Sequence, residues 1–226
     1  MSHTSTRELS IAIGRTTLQG VLRIPADSTG IVLFAHGSGS SRLSRRNQHV
    51  ARTLRSAGLG TLLLDLLTAQ EDHEDKLTGR YRFDVGRLAQ RLLLATQWAD
   101  HLGPLPIGYF GASTGAAAAL IAAADGPARL RAIVSRGGRP DLARPDNLAR
   151  VHVPTLLVVG EHDPAVIEVN LEAMKHLGGA RRLAVVPGAS HLFEEMGALD
   201  AVGRLASDWF VKHFQPAEAQ REGRQP

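Results

Sequence analysis

"FGASTG" (110–115) joins the apolar stretch "LPIGYF" (105–110) to the small-residue run "TGAAAALIAAADG" (114–126). The first reads as a buried strand and the second as a helix packed close against a sheet. Ser113 therefore stands at a strand-to-helix turn, with Gly111 and Gly115 two residues away on either side. A turn this sharp strains the serine backbone. Side chains at the flanking positions would collide with the neighbouring strand and helix, which is why glycine is needed there. The result is an exposed hydroxyl at the carboxyl edge of a sheet, where open α/β folds bind ligands. Free N–H groups and the positive end of a helix dipole point at the same spot.

Outward from this turn the chain keeps one rhythm. "RELSIAIGRTTLQGVLRIP" reads as two alternating segments around Gly14–Arg15, a β-hairpin. Strands follow at 30–37, 60–67, 105–110, 130–138, 154–163 and 181–191. Helical periods lie between and after them, at 44–58, 84–103, 114–126, 164–177 and 194–214. A hairpin followed by alternating strands and helices predicts an α/β fold with a mostly parallel sheet and helices on both faces. One domain is expected over 1–214, with a disordered tail at 215–226. The stretch "TAQEDHEDKLTGRYRF" (68–83) reads as a long loop of the kind that binds or covers ligands. Its acidic cluster "EDHED" (71–75) has no second histidine at ligand spacing, so it reads as solvated surface and no metal is expected. The connection after 130–138 is too short for a cap domain.

A serine hydroxyl needs a base to take its proton, and the base needs a carboxylate to orient it. The chain supplies both beyond later strands, in the order acid then histidine: Asp163 in "GEHDP" and His191 in "PGASH". Glu161 and, more remotely, Asp141 compete with Asp163. Charge that develops on a carbonyl oxygen needs backbone donors. Those expected are the N–H of Thr114, after the nucleophile, and the N–H of Ser38, in the loop "AHGSGSS". His36 is expected to be structural, packed beside that loop. Arg136 and Arg139 in "SRGGRPD" follow a strand at the same edge. They read either as a brace with Asp141 or as a clamp for an anionic part of a substrate.

"FAHGSGSS", "GASTGAAAAL", "VSRGGRPDLA", "PTLLVVGEHDP" and "VPGASHLFEE" in this order resemble the α/β-hydrolase superfamily. They are most similar to its small dienelactone-hydrolase-like family. The resemblance covers nearly all of 7–214. It implies an α/β-hydrolase fold with Ser113, Asp163 and His191 as nucleophile, acid and base. Such relatives also occur fused to phosphoribosyltransferase domains; none is read in these 226 residues. Dienelactone hydrolases proper use a cysteine nucleophile. This chain has no cysteine, so the dienelactone substrate is not carried over.

Composition narrows the class further. Charged residues are 21% and aromatics 4%, so Leu, Val and Ala must fill the core. The net charge of +4 comes from scattered arginines and the segment "QREGRQP", with no basic stripe interleaved with aromatics. Nucleic-acid binding is therefore not expected. "MSHTSTRELS" lacks the apolar core of a signal peptide, and "AAAALIAAA" is too short to cross a bilayer. A cytoplasmic protein without membrane contact is expected. The reading is a serine hydrolase of small carboxylic esters or lactones that uses no cofactor. Its partner is a small-molecule ester, and its oligomeric state is open. The alternatives are an acyltransferase or perhydrolase with the same triad, or an idle interaction module that kept the fold.

Overall fold

A computed structural model describes residues 4–14 and 16–215. The chain builds an eight-stranded sheet, in which β1 (Thr4–Ile13) and β2 (Thr16–Pro25) form the N-terminal hairpin with Ile13 opposite Thr16. The others are β3 (Ile31–Ala35), β4 (Gly60–Leu64), β5 (Ile107–Ala112), β6 (Leu130–Arg136), β7 (Thr155–Gly160) and β8 (Arg181–Val186). Their order is β1-β2-β4-β3-β5-β6-β7-β8. β2 runs antiparallel to β1 and β4, and every pairing from β4 to β8 is parallel. β3, β5 and β7 are buried along their whole length. Continuous apolar runs of this kind are required where both faces of a strand are covered. β8, at the edge, buries only Val186.

Two helical layers cover the sheet. On one face, α1 (Arg45–Ser56) and α7 (Ala198–Phe214) pack over Val32, Phe34, Phe110, Val134 and Val158. On the other lie α3 (Val85–Trp98), α4 (Thr114–Ala124), α5 (Pro145–Ala149) and α6 (Pro164–His176). They close over Leu33, Leu62, Tyr109, Ile133 and Leu157. α4 is buried nearly all round, and its alanines let it lie close against β5 and β6. Among the described residues, no cap covers the carboxyl edge. The expected tail from 216 onward lies outside the described residues.

Five of the parallel strands end two to five residues before the expected points, whereas β5 runs two residues further, to Ala112. The freed residues form the loops at the carboxyl edge. The segment 68–83 differs in kind, because it is not a loop: α2 (Ala69–Thr78) occupies most of it. Thr68 caps the helix by accepting from Glu71 N, the Glu71 side chain accepts from Thr68 N, and Gly79 ends it at φ 68°. This reciprocal box satisfies two helix-end donors without any apolar face.

The acidic cluster is also more than solvated surface. Asp75 is buried and accepts from Tyr81 N, Arg82 N and Arg82 Nε at 2.7–2.9 Å. Glu71 accepts from Arg91 Nη1 and Nη2 at 2.6 and 2.5 Å. Among the described residues, no group of three or more His, Asp or Glu side chains is placed to hold a metal ion.

Candidate active site

The elbow after β5 has the geometry its glycines require. Ser113 sits at φ 52°, ψ −121°, a region a non-glycine residue enters only at a cost. A Cβ at Gly111 would run into the backbone of Ala116, and one at Gly115 into the carbonyls of Ala35 and His36. The turn can be this tight only with both glycines, so strand, elbow and helix form one rigid unit. The Ser113 side chain does not cap α4, which leaves the first N–H groups of the helix at the site.

His191 reaches the same edge from the loop after β8. Its Nδ1 bonds Asp163 Oδ2 at 2.6 Å. Asp163 stands at the start of α6, held by Pro164 in the first helical position. The carboxylate is mostly shielded, whereas the imidazole is partly open. Glu161 points elsewhere, its Oε2 accepting from Gly188 N at 2.7 Å. Asp141 is occupied by Arg139. Ser113, Ser38, Arg136 and His191 line one cavity of about 170 Å³ with Gly37, Ser40, Ser44, Arg46 and Asn47.

The two expected oxyanion donors come from different loops, and side chains tie them together. Ser38 Oγ lies 3.1 Å from Thr114 Oγ1 and donates to Arg82 O at 3.2 Å. His36 fixes the base of the same loop. Leu66 N donates to His36 Nε2 at 2.9 Å, so Nδ1 carries the hydrogen and donates to Gly37 O at 2.9 Å. Burial lowers the His36 pKa, which suits a neutral ring accepting an N–H.

The two arginines part company. Arg136 is buried against Phe193 and forms part of the cavity wall. Arg139 lies outside that wall. It holds Asp141 through Nε and Nη2 at 2.9 and 2.6 Å, the brace that the short spacing allows. Arg46 and Asn47, on α1, were not singled out in the sequence. Their helical period hides that one edge of α1 overhangs the serine.

Fold and elbow together define an α/β hydrolase. The model of the alpha/beta hydrolase domain family matches residues 28–202, and the chain belongs to that family. Among solved structures, the dienelactone hydrolase from Anabaena variabilis is 53% identical, with a TM-score of 0.90 over 94% of this chain and 99% of that one. Est1E from Butyrivibrio proteoclasticus shares the fold at 18% identity, with a TM-score of 0.76 over 91% of this chain and 98% of that one. A Mycobacterium tuberculosis protein provisionally named a phosphoribosyl transferase is 51% identical over 210 residues. These are 92% of this chain and 46% of that protein, so the chain spans about half the length of the curated relatives it matches. Among the described residues, no helix is long and apolar enough to cross a membrane.

Proposed function

We propose that the protein is a serine hydrolase of small carboxylic esters or lactones, acting through an acyl-enzyme. The observation that carries this reading is the strained Ser113 opening onto one cavity with a histidine already held by a carboxylate. Ser113 Oγ attacks the carbonyl carbon as His191 Nε2 takes its proton. Asp163 keeps the other ring hydrogen on Nδ1 and stabilises the imidazolium that forms. The N–H groups of Ser38 and Thr114 receive the oxyanion. His191 then passes its proton to the leaving alcohol. Water, activated by the same imidazole, releases the acid and restores the serine. In a lactone the leaving alcohol stays on the acyl chain.

The cavity is below the ~300–1,000 Å³ of sites for drug-sized ligands. Short acyl chains should therefore be preferred. We assign the phosphoribosyl transfer in the mycobacterial relative's name to the part of that protein this chain does not match. A series of p-nitrophenyl esters of increasing chain length tests the proposal. Turnover should be highest for the shortest acyl groups and absent from Ser113→Ala. A wild-type protein that cleaves none of them, with its fold intact, would leave the idle-module alternative standing.

A further inference from the structure

The serine cavity holds a positive charge that no carboxylate among the described residues pairs. Strand alternation puts Arg136 on the same face as Ala132 and Val134, toward the layer of α1 and α7. The residue is 7% exposed, and its Nε and Nη1 are sealed without an acceptor. Its guanidinium lies 5.8 Å from the ring centre of Phe193, a contact that favours a cation but cannot neutralise one. The charge facing it is another cation, Arg46.

Arg46 binds Glu194 Oε1 through Nη1 at 2.7 Å, and its Nε is also buried without a partner. Arg46, Asn47 and Arg136 all line the cavity, whereas the half-neutralising Glu194 is largely in solvent. Of the two guanidinium groups, only that of Arg46 has a carboxylate partner. Arg91, comparably buried, shows the usual alternative, being held by Glu71 and the Leu66 carbonyl. An unpaired buried cation is costly and calls for a counter-ion. Burial, with Arg46 adding to it, pulls the Arg136 guanidinium down to about 10, which still leaves it charged at neutral pH.

We propose that Arg136, with Arg46 beside it, forms a subsite for an oxyanion carried by the substrate, so that the site takes small esters bearing a carboxylate or a phosphate near the scissile carbonyl. The inference rests on the ester-hydrolase reading of Ser113. Proximity supports it, because Arg136 pairs with Ala112 across β5 and β6, and the next residue, Ser113, donates its N–H to Arg136 O at 3.1 Å. In so small a cavity only a few bonds can separate the anion from the carbonyl. A planar guanidinium suits two oxygens of either group, and exclusion of water strengthens the attraction.

Binding is measured first without turnover, by calorimetry on Ser113→Ala with succinate, inorganic phosphate and neutral glycerol. One or both anions should bind and glycerol should not. Which anion binds tells carboxylate from phosphate. Adding Arg136→Met should weaken that binding by about tenfold to a hundredfold. In the Ser113 enzyme, Arg136→Met should cut the preference for mono-p-nitrophenyl glutarate over p-nitrophenyl acetate by about tenfold or more, chiefly through KM. Its melting temperature should hold or rise, because the change removes an unpaired charge. Arg136→Lys should restore only part of the preference. Failure of both anions to bind, or equal binding after Arg136→Met, overturns the subsite. So does a lowered melting temperature with unchanged selectivity, which would make Arg136 a brace. Binding through Arg136 in a protein that cleaves no ester would instead keep the subsite and discard the hydrolase reading.

Discussion

The turn after β5 and the crossover after β4 leave the same edge of the sheet, yet they treat polar groups in opposite ways. In the crossover every buried charge is answered. Glu71 receives Arg91, Arg87 and Thr68 N, and Asp75 receives two main-chain N–H groups and Arg82. At the elbow, Ser113 holds a strained backbone without capping its helix, and Arg136 is buried without an acceptor. Satisfied charges fix a shape and can do little else. Strain and unmet hydrogen bonds cost stability, and they persist where a ligand or a reacting group is to complete them. The difference between the two regions separates the scaffold of this edge from its chemistry.

Substitutions can break that division. Ser113→Ala should abolish ester turnover while the protein keeps its melting temperature or gains slightly, since it removes a nucleophile and no packing. Asp163→Asn should lower kcat by about a thousandfold or more, because His191 loses the acceptor that sets its tautomer and orientation. On the scaffold side, Glu71→Gln should cost about 3 kcal/mol of stability in denaturant unfolding, by leaving the buried Arg91 charge without a counter-ion. Its pH dependence sharpens the point. Burial alone would raise the Glu71 pKa, but the Arg91 and Thr68 hydrogen bonds outweigh it and hold the carboxyl at about 2, against an ordinary 4.5. The folded state thus binds the proton less readily. The stabilisation should be whole above pH 4.5 and fade as the pH falls toward 2, closing the gap between wild type and variant. Glu161→Gln should have the smallest effect, within about threefold in kcat, because a glutamine oxygen can still accept from Gly188 N and the side chain does not touch His191. If Glu161→Gln hurt turnover more than Asp163→Asn, the acid would have been misplaced.

The sheet and the elbow were legible because their physics is local. Runs such as "IVLF" and "TLLVV" can only be doubly covered strands, and G-A-S-T-G at a strand end admits few turns. α2 was not legible from periodicity, because charge pairs and a capping box hold it rather than an apolar stripe. The box itself, T-A-Q-E at 68–71, is the local signal of this helix in the sequence. Arg136 and Arg139 could not be ranked from sequence alone. Strand alternation sends Arg136 inward, and Arg139 finds its partner two residues on. Arg46 was out of reach for another reason. Its acceptor Glu194 lies 148 residues away, and only the folded chain brings Arg46 into the wall of the serine cavity.

Activation of the Ser113 hydroxyl as a nucleophile can be tested with no assumption about substrate. The protein is treated with a fluorophosphonate, and the adduct is located by peptide mass spectrometry. One adduct per chain should form on Ser113, and Asp163→Asn should slow its formation sharply. A folded wild-type protein that stays unlabelled, or an adduct on any other residue, would contradict the account.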